Sequence, residues 1–242
     1  MLSQLQKTEI PLVLIPGFML DESLWDEMVE QLPISLEVYR ASLEKGQTIP
    51  QIAEHIALAA PERFILVGFS LGGYVARSLV EQFPERVVAL VLIASSLRPD
   101  TPEQKRLKAA AVSASSHNRY RGLGSAAITK SFHPKYATDK ALIERVRNMG
   151  MRLGFDEFSK QSALERGAFS PNNIHCPTLV VAAAQDGLRS AEEAYELSNA
   201  IPGSRLHFIE NAGHMIPIEQ SEVLSRLIIE WLDEINLRGF II

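Results

Sequence analysis

Short apolar runs and amphipathic stretches alternate along most of the chain. Residues 12–15, 64–67, 87–94 and 178–183 are nearly continuous in Val, Ile, Leu, Phe and Ala, with 36–40 and 205–209 as more mixed runs. Unbroken apolar runs of this length suit strands buried on both faces of a parallel sheet. Between them, apolar residues recur at helical spacing over 23–31, 49–59, 71–82, 191–200 and 222–236. This alternation predicts an α/β fold, a mostly parallel sheet of about six strands covered by helices on both sides. The rhythm breaks between about 97 and 173, where only the helical patterns 101–116 and 139–166 appear. At roughly 75 residues this stretch is too long for a simple strand-to-helix connection. It is expected to be a helical lid inserted into one domain spanning 1–242, above the sheet edge where such folds bind ligands.

Composition narrows the classes of function. A chain of 242 residues with 46% hydrophobic and 22% charged positions is that of an ordinary globular protein. The net charge of -5 argues against a general nucleic-acid binder. The early apolar stretch 11–20 is interrupted by Pro16-Gly17 and lacks the basic flank of an export signal. No run reaches the roughly 18 apolar residues of a membrane span, so a cytoplasmic protein is expected. The single cysteine, Cys176, precludes an intramolecular disulfide and reads as a buried structural thiol. No internal repeat and no metal-ligand cluster is visible, and neither metal nor organic cofactor is expected.

The chemistry concentrates in one turn. Gly68-Phe69-Ser70-Leu71-Gly72-Gly73 follows an apolar run and opens a helical one. In that context glycines two residues either side of a serine let strand and helix pass closely, lifting the hydroxyl above the sheet. A serine hydroxyl is too weakly acidic to attack unaided and needs a base. Of six histidines, His214 stands in a loop at the same sheet edge, within Asn211-Ala-Gly-His-Met-Ile-Pro-Ile-Glu219. His55, His117, His133, His175 and His207 fall on predicted surfaces, strands or the lid. A base needs an acid to hold its tautomer. Asp186 emerges at the end of run 178–183, with Asp100 as the alternative. Leu71 N–H, just past the serine, is the first expected oxyanion donor, and Phe18 N–H, after Pro16-Gly17, is the second. Phe18, Met19 and Leu71 are expected to border substrate.

These motifs, in the order Ser70, Asp186, His214, resemble small serine hydrolases of the α/β-hydrolase superfamily over nearly the whole chain. Pro16-Gly17 stands where many members carry His-Gly, and with only about ten residues before the first strand the usual N-terminal hairpin is expected to be absent. The segment Gly17-Phe-Met-Leu-Asp-Glu-Ser-Leu-Trp25 and the short lid resemble esterases of pimeloyl-acyl-carrier-protein methyl ester. The resemblance implies ester hydrolysis through an acyl-enzyme. Thioesterases, C–C hydrolases, lyases and perhydrolases share the pattern, and so does a small-molecule receptor with a slow hydrolase site. Residues 98–152 carry twelve Lys/Arg and four Asp/Glu. Lys105, Arg106, Lys108, Arg119 and Arg121 either form a solvated surface or steer an acidic partner, such as an acyl carrier protein or an anionic acyl chain.

Overall fold

The four nearly continuous apolar runs become strands buried on both faces at once, while the two mixed runs become partly exposed edge strands. The computed structural model describes residues 10–167 and 173–237. Its strands are β1 (Leu12–Ile15), β2 (Val38–Arg40), β3 (Phe64–Phe69), β4 (Val87–Ile93), β5 (Thr178–Ala183) and β6 (Arg205–Ile209). They form a single sheet in the order β2-β1-β3-β4-β5-β6, with every neighbouring pair parallel. Successive side chains of a strand point to opposite faces. Leu14, Val67, Val91 and Val181 therefore share one core with Trp25, Met28 and Trp231. Val13, Leu66, Leu90 and Val180 share the other with Ile52, Val75 and Leu197.

The helices are α1 (Asp26–Glu30), α2 (Ile49–Ala59), α3 (Leu71–Gln82), α4 (Pro102–Ser113), α5 (Ser125–Ser131), α6 (Lys140–Ala163), α7 (Ala191–Ala200), α8 (Ile216–Glu219) and α9 (Ser221–Glu234). Helices α2, α3 and α7 cover one face, and α1 and α9 the other. Helices α4, α5 and α6 lie between β4 and β5 in the chain. Among the described residues no helix is long and apolar enough to cross a membrane.

Several boundaries differ from the sequence reading. Strand β2 begins at Val38 rather than at 36, because Leu36 N–H turns back to the Pro33 carbonyl at 3.0 Å. Strand β4 ends at Ile93, since Ala94 adopts φ 46°. The helix expected over 23–31 is a 3₁₀ turn, Glu22–Trp25, followed by α1. Helix α4 ends at Ser113, before the expected 116. The helix expected over 139–166 is α6, capped by Asp139 and interrupted at Gly154, whose φ of 83° is not helical. Helix α5, a Ser-Ala-Ala start of seven residues, was not expected at all. Residues 1–9, where a hairpin would have to lie, and 168–172 fall outside the described residues.

Candidate active site

Strand β3 delivers the chain to Ser70 and α3 carries it away at once. Ser70 has φ 51° and ψ −112°, a conformation that a serine holds only under strain. Its N–H donates to the Ile93 carbonyl at 2.8 Å, and Gly73 N–H donates to the Ser70 carbonyl at 3.0 Å. Ser95 Oγ donates to the same carbonyl at 3.0 Å. The glycines are required by space: a Cβ on Gly68 would stand 2.6 Å from the Gly72 carbonyl oxygen. One on Gly72 would collide with the carbonyls of Ile15 and Pro16 at the end of β1.

Two loops at the same edge bring their side chains to this turn. His214, between β6 and α8, places Nε2 2.9 Å from Ser70 Oγ and Nδ1 2.8 Å from Asp186 Oδ2. Asp186, after β5, also accepts at Oδ1 from the N–H groups of Leu188 and Arg189, at 2.7 and 2.9 Å. Burial acts to raise the Asp186 carboxyl, but His214 and these N–H groups outweigh it and hold the carboxyl below its ordinary value. Helix α7 is capped by Ser190 instead, whose Oγ accepts from Glu193 N–H at 3.3 Å. Asp100, the alternative acid, is engaged elsewhere, accepting from Lys108 and from Arg166. His55, His117 and His133 are engaged with Gln51, Asp156 and Lys135.

The loop after β1 is held from α6. Gln161 Oε1 accepts from Met19 N–H at 2.8 Å, and Gln161 Nε2 donates to Glu157 at 2.7 Å. The Phe18 ring packs against Phe158, with centroids 6.1 Å apart. Phe18 N–H has no acceptor among the described residues. Leu71 opens α3, where a helix has no internal acceptors for its first N–H groups. Glu219 does the corresponding work for the histidine loop. Its buried carboxyl accepts from Gly213 N–H at 3.1 Å and from His133 N–H, just past α5, at 2.7 Å. Burial raises that carboxyl above its ordinary value, against the lowering effect of these N–H groups. Gln161 carried no sequence signal; Glu219 carried one, an acid five residues past His214 in the same motif.

A cavity of about 350 Å³ opens on Ser70 and His214. Phe18, Leu20, Ile128, Val146, Leu188 and Met215 form its apolar wall. Met19 and Leu71, also expected to border substrate, are buried away from the cavity lining. A larger groove of about 680 Å³, bordered by Asp21, Glu44, Arg145 and Arg152, reaches neither Ser70 nor His214. Cys176 lies apart from the cavity, and burial pushes its thiol up to about 11.

The sequence profile described as alpha/beta hydrolase fold matches residues 57–221, from α2 through α8. The chain belongs to the α/β-hydrolase fold family. As an α/β hydrolase, it is similar to a pimeloyl-[acyl-carrier protein] methyl ester esterase of Citrobacter koseri, at 33% identity over 93 residues. That match covers 35% of this chain and 36% of the relative, so it spans only about a third of either. A monoacylglycerol lipase of Xenopus laevis, abhd6-B, is 25% identical over 93% of this chain and 75% of its own. Among solved structures, a thermophilic esterase from Thermogutta terrifontis aligns with a TM-score of 0.79 at 24% identity, over 94% of this α/β hydrolase and 90% of that chain. That last likeness is one of fold.

Proposed function

We propose that this α/β hydrolase cleaves carboxylic esters through an acyl-enzyme formed on Ser70. The observation that carries the reading is the continuous Asp186–His214–Ser70 hydrogen-bonded series, ending at a strained serine that faces a cavity. His214 Nε2 takes the hydroxyl proton as Ser70 Oγ adds to the ester carbonyl. Asp186 holds Nδ1–H and stabilises the imidazolium. The N–H groups of Leu71 and Phe18 receive the oxyanion, each such donor contributing roughly 3–4 kcal/mol to the transition state. The tetrahedral adduct collapses as His214 returns the proton to the departing alcohol. Water, deprotonated by His214, then attacks the acyl-serine and releases the acid. Helices α4–α6 serve as the lid: α6 holds the oxyanion loop through Gln161, and α5 meets the histidine loop through Glu219.

A carrier-linked acyl ester is the substrate suggested by the esterase relative, and one surface feature favours it. Arg119 and Arg121, between α4 and α5, have no acidic partner among the described residues, unlike Lys105, Arg106 and Lys108. The test of the central reading is turnover of short aryl esters alongside stoichiometric labelling by a serine-directed fluorophosphonate. Ser70→Ala should abolish labelling and lower turnover by about 10⁶-fold, as loss of the nucleophile does in comparable triads. A folded Ser70→Ala protein keeping a tenth of the activity would overturn the role of Ser70. Labelling without turnover would favour the receptor reading.

A further inference from the structure

The cavity above Ser70 is not apolar throughout. Its lining also includes Lys108 from α4, Arg166 just past α6, Arg189 just past Asp186, and Asp100, which pairs with the first two. Their ion pairs are Lys108–Asp100, Arg166–Asp100 at 2.7 Å and Arg189–Glu193 at 3.1 Å. Three cations therefore share two carboxylates. Lys130, at the same cavity, adds to the positive side. Arg77, which stacks on the same Tyr74 ring as Arg166 and Arg189, faces a different pocket beside Glu81.

This surplus is out of bulk water. The side chains of Arg166 and Arg189 are only 10% and 14% exposed, and their buried Nε–H groups have no acceptor among the described residues. A buried donor without an acceptor, beside an unbalanced charge, is costly unless something else occupies the space. Burial and the neighbouring Arg166 push the Lys108 ammonium below its ordinary value despite Asp100, which is the behaviour of a region short of negative charge. Guanidinium and ammonium groups are the natural partners of a carboxylate, which they meet by charge-assisted hydrogen bonds. The surplus is at least one positive charge, and a carboxylate supplies the negative charge that meets it.

We propose that the Lys108–Arg166–Arg189 wall is a carboxylate subsite, and that among small esters the protein prefers one bearing a free carboxylate, such as a monoester of a dicarboxylic acid, a class distinct from the carrier-linked ester, whose far carboxyl is bound to the carrier. This rests on the ester-hydrolase reading for turnover but not for binding. The aliphatic wall takes the methylene chain, the cationic wall takes the far carboxylate, and the ester lies at Ser70. Hydrolysis with one water then yields the dicarboxylate, the alcohol and a proton.

The experiment compares methyl monoesters of the succinate-to-suberate series with the matching methyl ω-amide esters, which lack the charge. The wild-type protein should favour the anionic member of at least one pair by about tenfold or more in kcat/KM, chiefly through KM. Two variants shift the balance in opposite directions. Lys108→Met leaves two cations against two carboxylates and should lower the anionic-to-neutral ratio several-fold. Asp100→Asn leaves three against one and should raise it. A structural disturbance alone would move both ratios the same way. Calorimetric binding of free dicarboxylates to the Ser70→Ala protein, weaker in its Lys108→Met derivative, reads the subsite without turnover. Neutral-ester turnover with no anionic preference and no dicarboxylate binding would overturn the subsite and leave the hydrolase reading standing. Dicarboxylate binding with neither ester cleaved would do the reverse.

Discussion

Ser70, Asp186 and His214 differ in how their surroundings constrain them, and the differences predict distinct phenotypes. The Asp186 carboxylate has both oxygens engaged, one by His214 and the other by two backbone N–H groups. Asp186→Asn should leave the loop in place but offer His214 an amide where it needs an acceptor, lowering kcat by about 10⁴-fold, as such a change does in the serine-protease triad. Its effect on stability has a definite sign. The folded-state carboxyl is held below the ordinary 3.8, so its contribution is present above that value and is lost as pH falls through the folded pKa. Denaturant melts at stepped pH should show Asp186→Asn less stable than wild type near neutrality, with the gap closing below pH 3.8. Glu219 acts one step further out. Glu219→Ala strips the acceptor from the N–H groups of Gly213 and His133 and should cost about 1–3 kcal/mol. Because it loosens the histidine rather than the cavity, kcat should fall while KM for a short neutral ester holds. An unchanged kcat in a folded Glu219→Ala protein would leave that residue a purely structural one.

At the scale of elements, the interruption of α6 matters most. Its first half carries Arg145, paired with Glu27 of α1, and its second half carries Phe158 and Gln161, which hold the loop after β1, the proposed source of the second oxyanion donor. Gly154 separates them at φ 83°, and a Cβ added there would meet nothing within 4 Å. Gly154→Ala is therefore a test of backbone strain without a clash. It should destabilise the protein by about 1–2 kcal/mol, or straighten α6 and pull Gln161 from Met19. Either way thermal melting or kcat should change, whereas an alanine that alters neither would show that the break in α6 has no consequence. A continuous helix was the reading of the sequence here because periodicity registers which residues face inward, and a single glycine barely alters it. Helix α5 escaped notice for the opposite reason: seven residues rich in Ser and Ala carry too little periodicity to be seen.

Across the whole molecule, charge is redistributed by folding. Residues 98–152 are strongly basic as a sequence, yet Arg145 and Arg152 reach back to Glu27 and Asp21, and Lys105 to Glu165. Part of the formal charge of the proposed lid is thereby neutralised, and Arg119 and Arg121 are among the cations left as candidates for long-range attraction. Surface attraction is screened beyond roughly 8–10 Å at physiological salt and acts mainly on encounter rate. Reversing Arg119 and Arg121 to Glu should thus lower kcat/KM for a carrier-linked ester at low ionic strength and converge with wild type at high salt. A loss independent of salt would count against steering.

What the sequence by itself determined is local or repetitive. The strand runs, the alternation with helices and the Gly68-x-Ser70-x-Gly72 turn all depend on neighbours within a few residues, so they could be read directly. The order Ser70, Asp186, His214 was legible because parallel strands place successive loops at one edge. The tertiary structure alone decided which groups meet there. His214 bonds Ser70 across 144 positions and Asp186 across 28, while Asp100 turns to Arg166 across 66. Such pairings follow from the register of β3, β5 and β6 and from how α4 and α6 pack, which no local pattern encodes. The same holds for Gln161 on Met19, and for the three cations gathered around two carboxylates: each residue is ordinary in sequence and acquires its role only through its neighbours in space.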